Sequence, residues 1–292
     1  YMFLEVASGK QIEPLWRLLN TFIYQEGGSY FLVNIVVLST TIYLYCFIFK
    51  KRSKNPAFSL FLLYALFFYF SSFNIIRQYI AITFVFCSYY YFENRKYTYG
   101  IVLFSIAFLF HFSALLVFPA ILFFISPIIK IRTNIVLTFL FISLVFGATI
   151  SKLILPYFDQ IETVYSGYSE NLLKSSKDLL INLINYSIQF LLFFVVVFKK
   201  GKSYINDKMT LLWFFGLFLQ NIFTEITFFS RFIDYFLITQ IIVIASCFPA
   251  YYNFRNDMSK RFFFIIAIVL ISFCFNTYFN KQGVVPYNIY GL

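Results

Sequence analysis

Charge is what this 292-residue chain has least of. Asp, Glu, Lys and Arg together make 12% of it, against about 25% in an ordinary soluble domain. Histidine occurs once, which excludes His-rich metal sites and the His-Glu-x-x-His helix. Glycine (10 residues) and proline (7) are sparse. There is no Gly-rich phosphate loop, no Gly-x-Ser-x-Gly elbow, and no Asp-x-Asp pair to hold a metal-bound nucleotide sugar. The four cysteines, Cys46, Cys87, Cys247 and Cys274, fall inside apolar runs without Cys-x-x-Cys spacing. They read as small packing residues rather than disulfides or metal ligands. No repeat of roughly 20–50 residues is evident, so a solenoid is not expected.

Apolar residues are abundant. They make 61% of the chain, and mean hydropathy is +0.80. A soluble globule of this size has too much surface to hide that proportion. The fold class that remains is all-α: a polytopic integral membrane protein, read as one domain over residues 1–292. Apolar runs fall at 30–49, 57–73, 76–92, 98–114, 115–129, 133–153, 179–198, 210–229, 231–250 and 262–279, giving about ten transmembrane helices at roughly 20 residues each. The fourth and fifth runs meet between His111 and Pro119, where a broken or re-entrant helix is expected. The chain opens at Tyr1 without a signal-peptide pattern, and a preceding helix is expected upstream. Most of the 45 Phe and 24 Tyr are accounted for by aromatic girdles at the headgroups.

The formal net charge is +11. In a soluble protein this would suggest nucleic acid; in a membrane protein it marks the loops held at the anionic cytoplasmic leaflet, so no nucleic-acid partner is expected. Lys50, Lys51, Arg52 and Lys54 share one loop, Arg95 and Lys96 another, and Lys130 and Arg132 a third. Lys199, Lys200, Lys202 and Lys208 follow, then Arg255, Lys260 and Arg261. These are 15 of the 23 basic residues, and they alternate consistently if all are cytoplasmic. Residues 1–29, a loop near 154–178 and the C-terminal tail are then extracytoplasmic. That loop carries Tyr165 and Tyr168, as a lid or sugar platform or as a solvated connector.

Ionisable residues next to apolar runs are costly and mark candidate function. Arg77 opens the third run, His111 lies near the end of the fourth, Glu225 ends the eighth, and Arg231 opens the ninth with Asp234 and Tyr235 behind it. The loop assignment puts all of them at the outer ends of their helices. Each has a plain alternative: an arginine snorkelling to headgroups, a local Arg231–Asp234 pair, a hydrogen-bonded packing histidine, a counter-ion glutamate. As a set they suit a polyanion at the outer leaflet. Guanidinium forks bind phosphate oxygens bidentately. Two arginines could stabilise a diphosphate leaving group as a metal does elsewhere. Histidine, as a residue type, titrates near neutral pH and can take a proton from a sugar hydroxyl.

At these residues the chain resembles the EpsG/Wzy-type polysaccharide polymerases. Ile76-Arg77-Gln78-Tyr79-Ile80-Ala81, followed by Phe110-His111-Phe112-Ser113-Ala114, looks like that family's Arg-Gln-x-x-Ala helix and later Phe-His-x-Ser-Ala. Glu13-Pro14-Leu15-Trp16 is similar to its early Glu-Pro-Gly-Phe, with Leu15 in place of Gly. Arg231-Phe232-Ile233-Asp234-Tyr235-Phe236 resembles its Arg-x-x-x-Tyr-Phe, and Val285-Pro286-Tyr287 its C-terminal Pro-Tyr. The upstream Arg-x-Gly-x-Asp element is not seen. The resemblance implies a repeat-unit polymerase of the bacterial inner membrane, with its site facing the periplasm or exterior. Undecaprenyl-diphosphate-linked oligosaccharides would be donor and acceptor, and membrane lipid and a chain-length regulator would be partners. It implies Arg77 and Arg231 on the diphosphate and His111 as base. Gln78, Ser113, Asp234, Tyr235, Glu225, Tyr165 and Tyr168 would be substrate-binding or supporting. An inverting single displacement with no metal and no cofactor is expected. A flippase or a glycan ligase for the same lipid-linked sugar is the alternative. A flippase would carry basic residues through the midplane and internal pseudo-symmetry, neither of which is evident.

Overall fold

Prolines and polar caps set where several helices begin. Pro14 and Pro56 each stand in the first turn of a helix, where a missing N–H costs nothing and a fixed φ helps. The Asn55 side chain accepts from the Phe58 N–H at 3.0 Å, and Asp207 accepts from the Thr210 N–H at 3.3 Å, each satisfying a donor that the helix leaves open. The structure, a computed structural model, describes residues 13–126, 130–159, 176–199, 204–205, 207–223, 227–248 and 256–278. Two compact units divide at Pro127/Ile128.

The first unit contains α1 (Pro14–Gln25), α2 (Tyr30–Arg52), α3 (Pro56–Ala65), α4 (Phe68–Asn74), α5 (Ile76–Glu93), α6 (Tyr97–Phe110), a 3-10 turn (Phe112–Val117) and α7 (Phe118–Ile125). The centre is α5, which packs against α2, α4, α6 and α7. Most of α5 is buried, including its polar Gln78, Thr83 and Ser88. A helix so enclosed by other helices faces little lipid and tolerates polar side chains bonded inward: Thr83 Oγ1 donates to the Tyr79 carbonyl at 2.7 Å, and Ser88 Oγ to that of Val85 at 2.6 Å. Residues Asn94 to Lys96 join α5 to α6, so the two form an antiparallel hairpin.

The second unit contains β1 (Ile131–Arg132), α8 (Thr133–Asp159), α9 (Ser176–Lys199), β2 (Tyr204–Ile205), α10 (Lys208–Ile222), α11 (Thr227–Leu237), α12 (Thr239–Ala245) and α13 (Asn256–Tyr278). The two short strands pair antiparallel, Ile131 opposite Ile205 and Arg132 opposite Tyr204. Helices α8 and α10 approach closely. A Cβ on Gly147 would lie 2.1 Å from the Asn221 carbonyl oxygen, and Asn221 Nδ2 donates to Ser143 Oγ at 2.9 Å beside it, buried. In an isolated helix, alanine would improve on glycine by about 1 kcal/mol. Here the sign is reversed. Gly147→Ala forces the two backbones apart and is expected to destabilise by about 1–3 kcal/mol, read as a lower thermal midpoint in detergent.

The chain is helical and apolar, as expected of a membrane protein. Tyr30–Arg52 and Thr133–Ile154 are long and apolar enough to cross a bilayer. Several expected boundaries shift. The run 57–73 is two helices, α3 and α4, bent by 55°, because Phe67 between them adopts φ 70°. The expected break between the fourth and fifth runs is present: α6 stops at Phe110 and His111 is extended, with φ −158°. The run 231–250 is divided at Ile238 into α11 and α12. The loop placed near 154–178 is shorter at both ends, since α8 continues to Asp159 and α9 begins at Ser176. The rest of it, with Tyr165 and Tyr168, lies outside the described residues, as does Glu225.

Candidate functional site

Arg77 is in the first turn of α5. The start of that helix has no side-chain cap and presents the positive end of the helix dipole, so a cation there needs an anion nearby. His111 ends α6 and is presented by the break in the chain that follows it. In an antiparallel hairpin the start of α5 and the end of α6 lie at the same end. The anion comes from a third place. Glu13 immediately precedes α1, which packs on α6 and α2, and Trp16, in the first turn of α1, is buried.

The Glu13 carboxylate joins the other two residues. Its Oε2 is 3.0 Å from an Arg77 guanidinium nitrogen, and its Oε1 is 2.6 Å from His111 Nδ1. The Glu13 side chain is 8% exposed, that of His111 26% and that of Arg77 41%. A buried carboxylate is thus shared by two partly exposed cationic or protonatable groups. Burial alone would push the Glu13 carboxyl up. The His111 hydrogen bond, a backbone hydrogen bond and the positive charge of Arg77 outweigh it, and the group is held below its ordinary value of 4.5. An ionised carboxylate only accepts, so His111 Nδ1 donates, and the ring's remaining nitrogen is Nε2.

The depressed Glu13 value carries a pH signature. Folding stability from the pairing is fully present above pH 4.5 and is lost as pH falls through the lower folded value. Thermal midpoints of wild type and Glu13→Gln are expected to differ most near neutral pH and to converge on acidification. A difference independent of pH would contradict the pairing.

Among the other expected residues, Gln78 is buried beside Arg77 in the first turn of α5, and Ser113 is part-buried in the 3-10 turn two residues after His111. Arg231, Asp234 and Tyr235 are on α11 of the second unit. Tyr235 is fully buried, Asp234 is part-buried, and the Arg231 side chain lies outside the described residues. Of the residues expected to act together, Arg77 and His111 are brought together, and Glu13 is the member that charge next to apolar runs did not mark. Its signal was the Glu-Pro-x-aromatic element at 13–16.

The far end of the same hairpin is different in character. Arg52 at the end of α2 pairs with Glu93 at the end of α5, and Lys50, Lys51, Lys54, Arg95 and Lys96 cluster in sequence around them. Eighteen residues separate the two ends of α5, about 27 Å at 1.5 Å per residue.

The profile of the EpsG family matches residues 1–289. The chain belongs to the EpsG family. EpsG is a Wzy-type polysaccharide polymerase-like family. This EpsG chain is therefore a membrane protein of polysaccharide biosynthesis, at the general level a glycosyltransferase-like polymerase. No curated protein and no solved structure matches it.

Proposed function

We propose that this EpsG protein joins undecaprenyl-diphosphate-linked oligosaccharide repeats into surface polysaccharide, at the outer face of the bacterial inner membrane, in a bundle of about ten spans. The observation that carries this reading is the meeting of Arg77 and His111 on Glu13 at one end of the α5–α6 hairpin. An arginine fork binds a diphosphate, and an imidazole beside it can accept a hydroxyl proton. The basic residues at the opposite end support the sidedness, since cytoplasmic loops retain Lys and Arg.

In this reading the acceptor sugar's hydroxyl oxygen attacks the anomeric carbon of the donor chain. The hydroxyl proton passes to His111 Nε2. The bond from the anomeric carbon to the diphosphate oxygen breaks, and the diphosphate leaves with the electron pair. Arg77 balances the charge that develops on it. One displacement inverts the anomeric configuration and requires no metal. Arg231 on α11 is the second arginine assigned to phosphate. Gln78 and Ser113 flank the reacting pair in sequence, and Asp234 and Tyr235 accompany Arg231. Glu225, Tyr165 and Tyr168 are assigned to sugar contacts.

The test is reconstitution. Purified protein given lipid-linked repeats is expected to yield a ladder of longer glycans without metal or nucleotide sugar, and EDTA should leave the ladder intact. A ladder abolished by EDTA and restored by a divalent cation would overturn the metal-free step. Single transfer to a different acceptor with no ladder would make the protein a ligase, and movement of the lipid across the bilayer without transfer would make it a flippase.

A further inference from the structure

Glu13 occupies the arginine that the proposed substrate needs. A carboxylate permanently paired to Arg77 would compete with the diphosphate, yet it is buried at the centre of the site. We propose that Glu13 is a displaceable counter-ion: it holds Arg77 until a diphosphate arrives, and the exchange leaves Glu13 facing His111 alone, as counter-charge to the imidazolium formed during transfer. Donor binding would thereby switch on the base. The inference rests on the polymerase reading and adds regulation to the same site.

Four observations carry it. The carboxylate is bonded through different oxygens, Oε2 to Arg77 and Oε1 to His111. Loss of Arg77 therefore does not leave a buried charge without a partner, which would be the costly outcome. Arg77 is the more exposed of the two, 41% against 8%, so an incoming anion reaches the guanidinium before it reaches Glu13. Glu13 is the fixed member. It precedes Pro14, has the extended ψ of 135° that this position favours, and is anchored through buried Trp16. Arginine has a long rotatable stem, so the arginine swings and the glutamate stays. Finally, the start of α5 favours an anion. A diphosphate offers it more charge, and offers the guanidinium two oxygens, where Glu13 gives one.

Glu13 acts through its neighbours and is a positioning residue, so the test must separate it from mere structural support. Undecaprenyl diphosphate, and inorganic pyrophosphate as the lipid-free arm, are titrated against wild type, Glu13→Gln and Arg77→Ala in nanodiscs. Glu13→Gln is expected to bind both diphosphates about fivefold more tightly, the worth of one released charge pair. Its turnover with lipid-linked repeats should fall about 100-fold. Tighter binding with slower turnover is an outcome that a damaged fold does not produce.

His111 is the sole histidine, so its ¹⁵N imidazole signals are unambiguous and give a readout independent of activity. In wild type the Nδ1 proton signal is expected to move downfield when pyrophosphate is added. In Arg77→Ala, where Glu13 already faces His111 alone, it should sit near the shifted position before and after. If Glu13→Gln does not fold, these two spectra decide. Binding unchanged or weakened in Glu13→Gln, or an Nδ1 signal indifferent to pyrophosphate, overturns the switch and leaves the polymerase reading standing. Diphosphate binding equally tight in Arg77→Ala and wild type, with no ladder from wild type, overturns both.

Discussion

Replacing Arg77 with alanine is expected to cut chain elongation by about 10²–10³-fold, the range seen when one positioned donor to a developing anion is removed. The size of the effect follows from where the residue stands. Arg77 begins α5, beside Glu13 and opposite the end of the hairpin that carries Arg52 and Glu93. A lysine there restores a point charge but no planar fork, so Arg77→Lys should recover only part of the rate. Glycan ladders from membranes of each variant, normalised to protein, give the measurement. An alanine variant that keeps more than a tenth of wild-type elongation would remove Arg77 from the diphosphate.

His111→Gln is the second large effect, about 10²–10⁴-fold on turnover. Glutamine can still offer an N–H to Glu13 Oε1, so the pairing that holds the site together is retained and only the proton acceptor is lost. The affinity for undecaprenyl diphosphate should stay near wild type, because Arg77 is untouched. The expected signature is a fall in kcat with little change in KM for the donor. A variant that binds donor poorly and turns over normally once saturated would assign His111 to binding instead of proton transfer.

Arg77 and His111 were legible in the sequence for a physical reason: ionisable groups at the ends of apolar runs are expensive and stand out. Glu13 was not, because its two partners lie 64 and 98 positions away in the chain, and no local pattern reports a contact made across such a distance. It showed only as part of the Glu-Pro element. The helical membrane class followed from composition, and the break at His111 from the meeting of two runs around a polar residue. The bend between α3 and α4 was illegible, since Phe67 adopts a left-handed φ where a glycine would have announced a turn. The polar residues of α5 lowered its apparent hydropathy, because burial among other helices removes the need for a lipid-facing surface.

The brevity of α6 has a consequence for access. Fourteen residues reach about 21 Å, while a bilayer core is about 30 Å thick. Where a helix stops short, the bilayer thins to meet it, so in the proposed orientation the imidazole at its tip would lie below the headgroup level of the surrounding membrane. In the proposed reaction an isoprenoid carrier would keep its tail dissolved in hydrocarbon while its charged head reached that depth. Both partners of the reaction would reach the site by sliding sideways, without either being lifted out of the membrane.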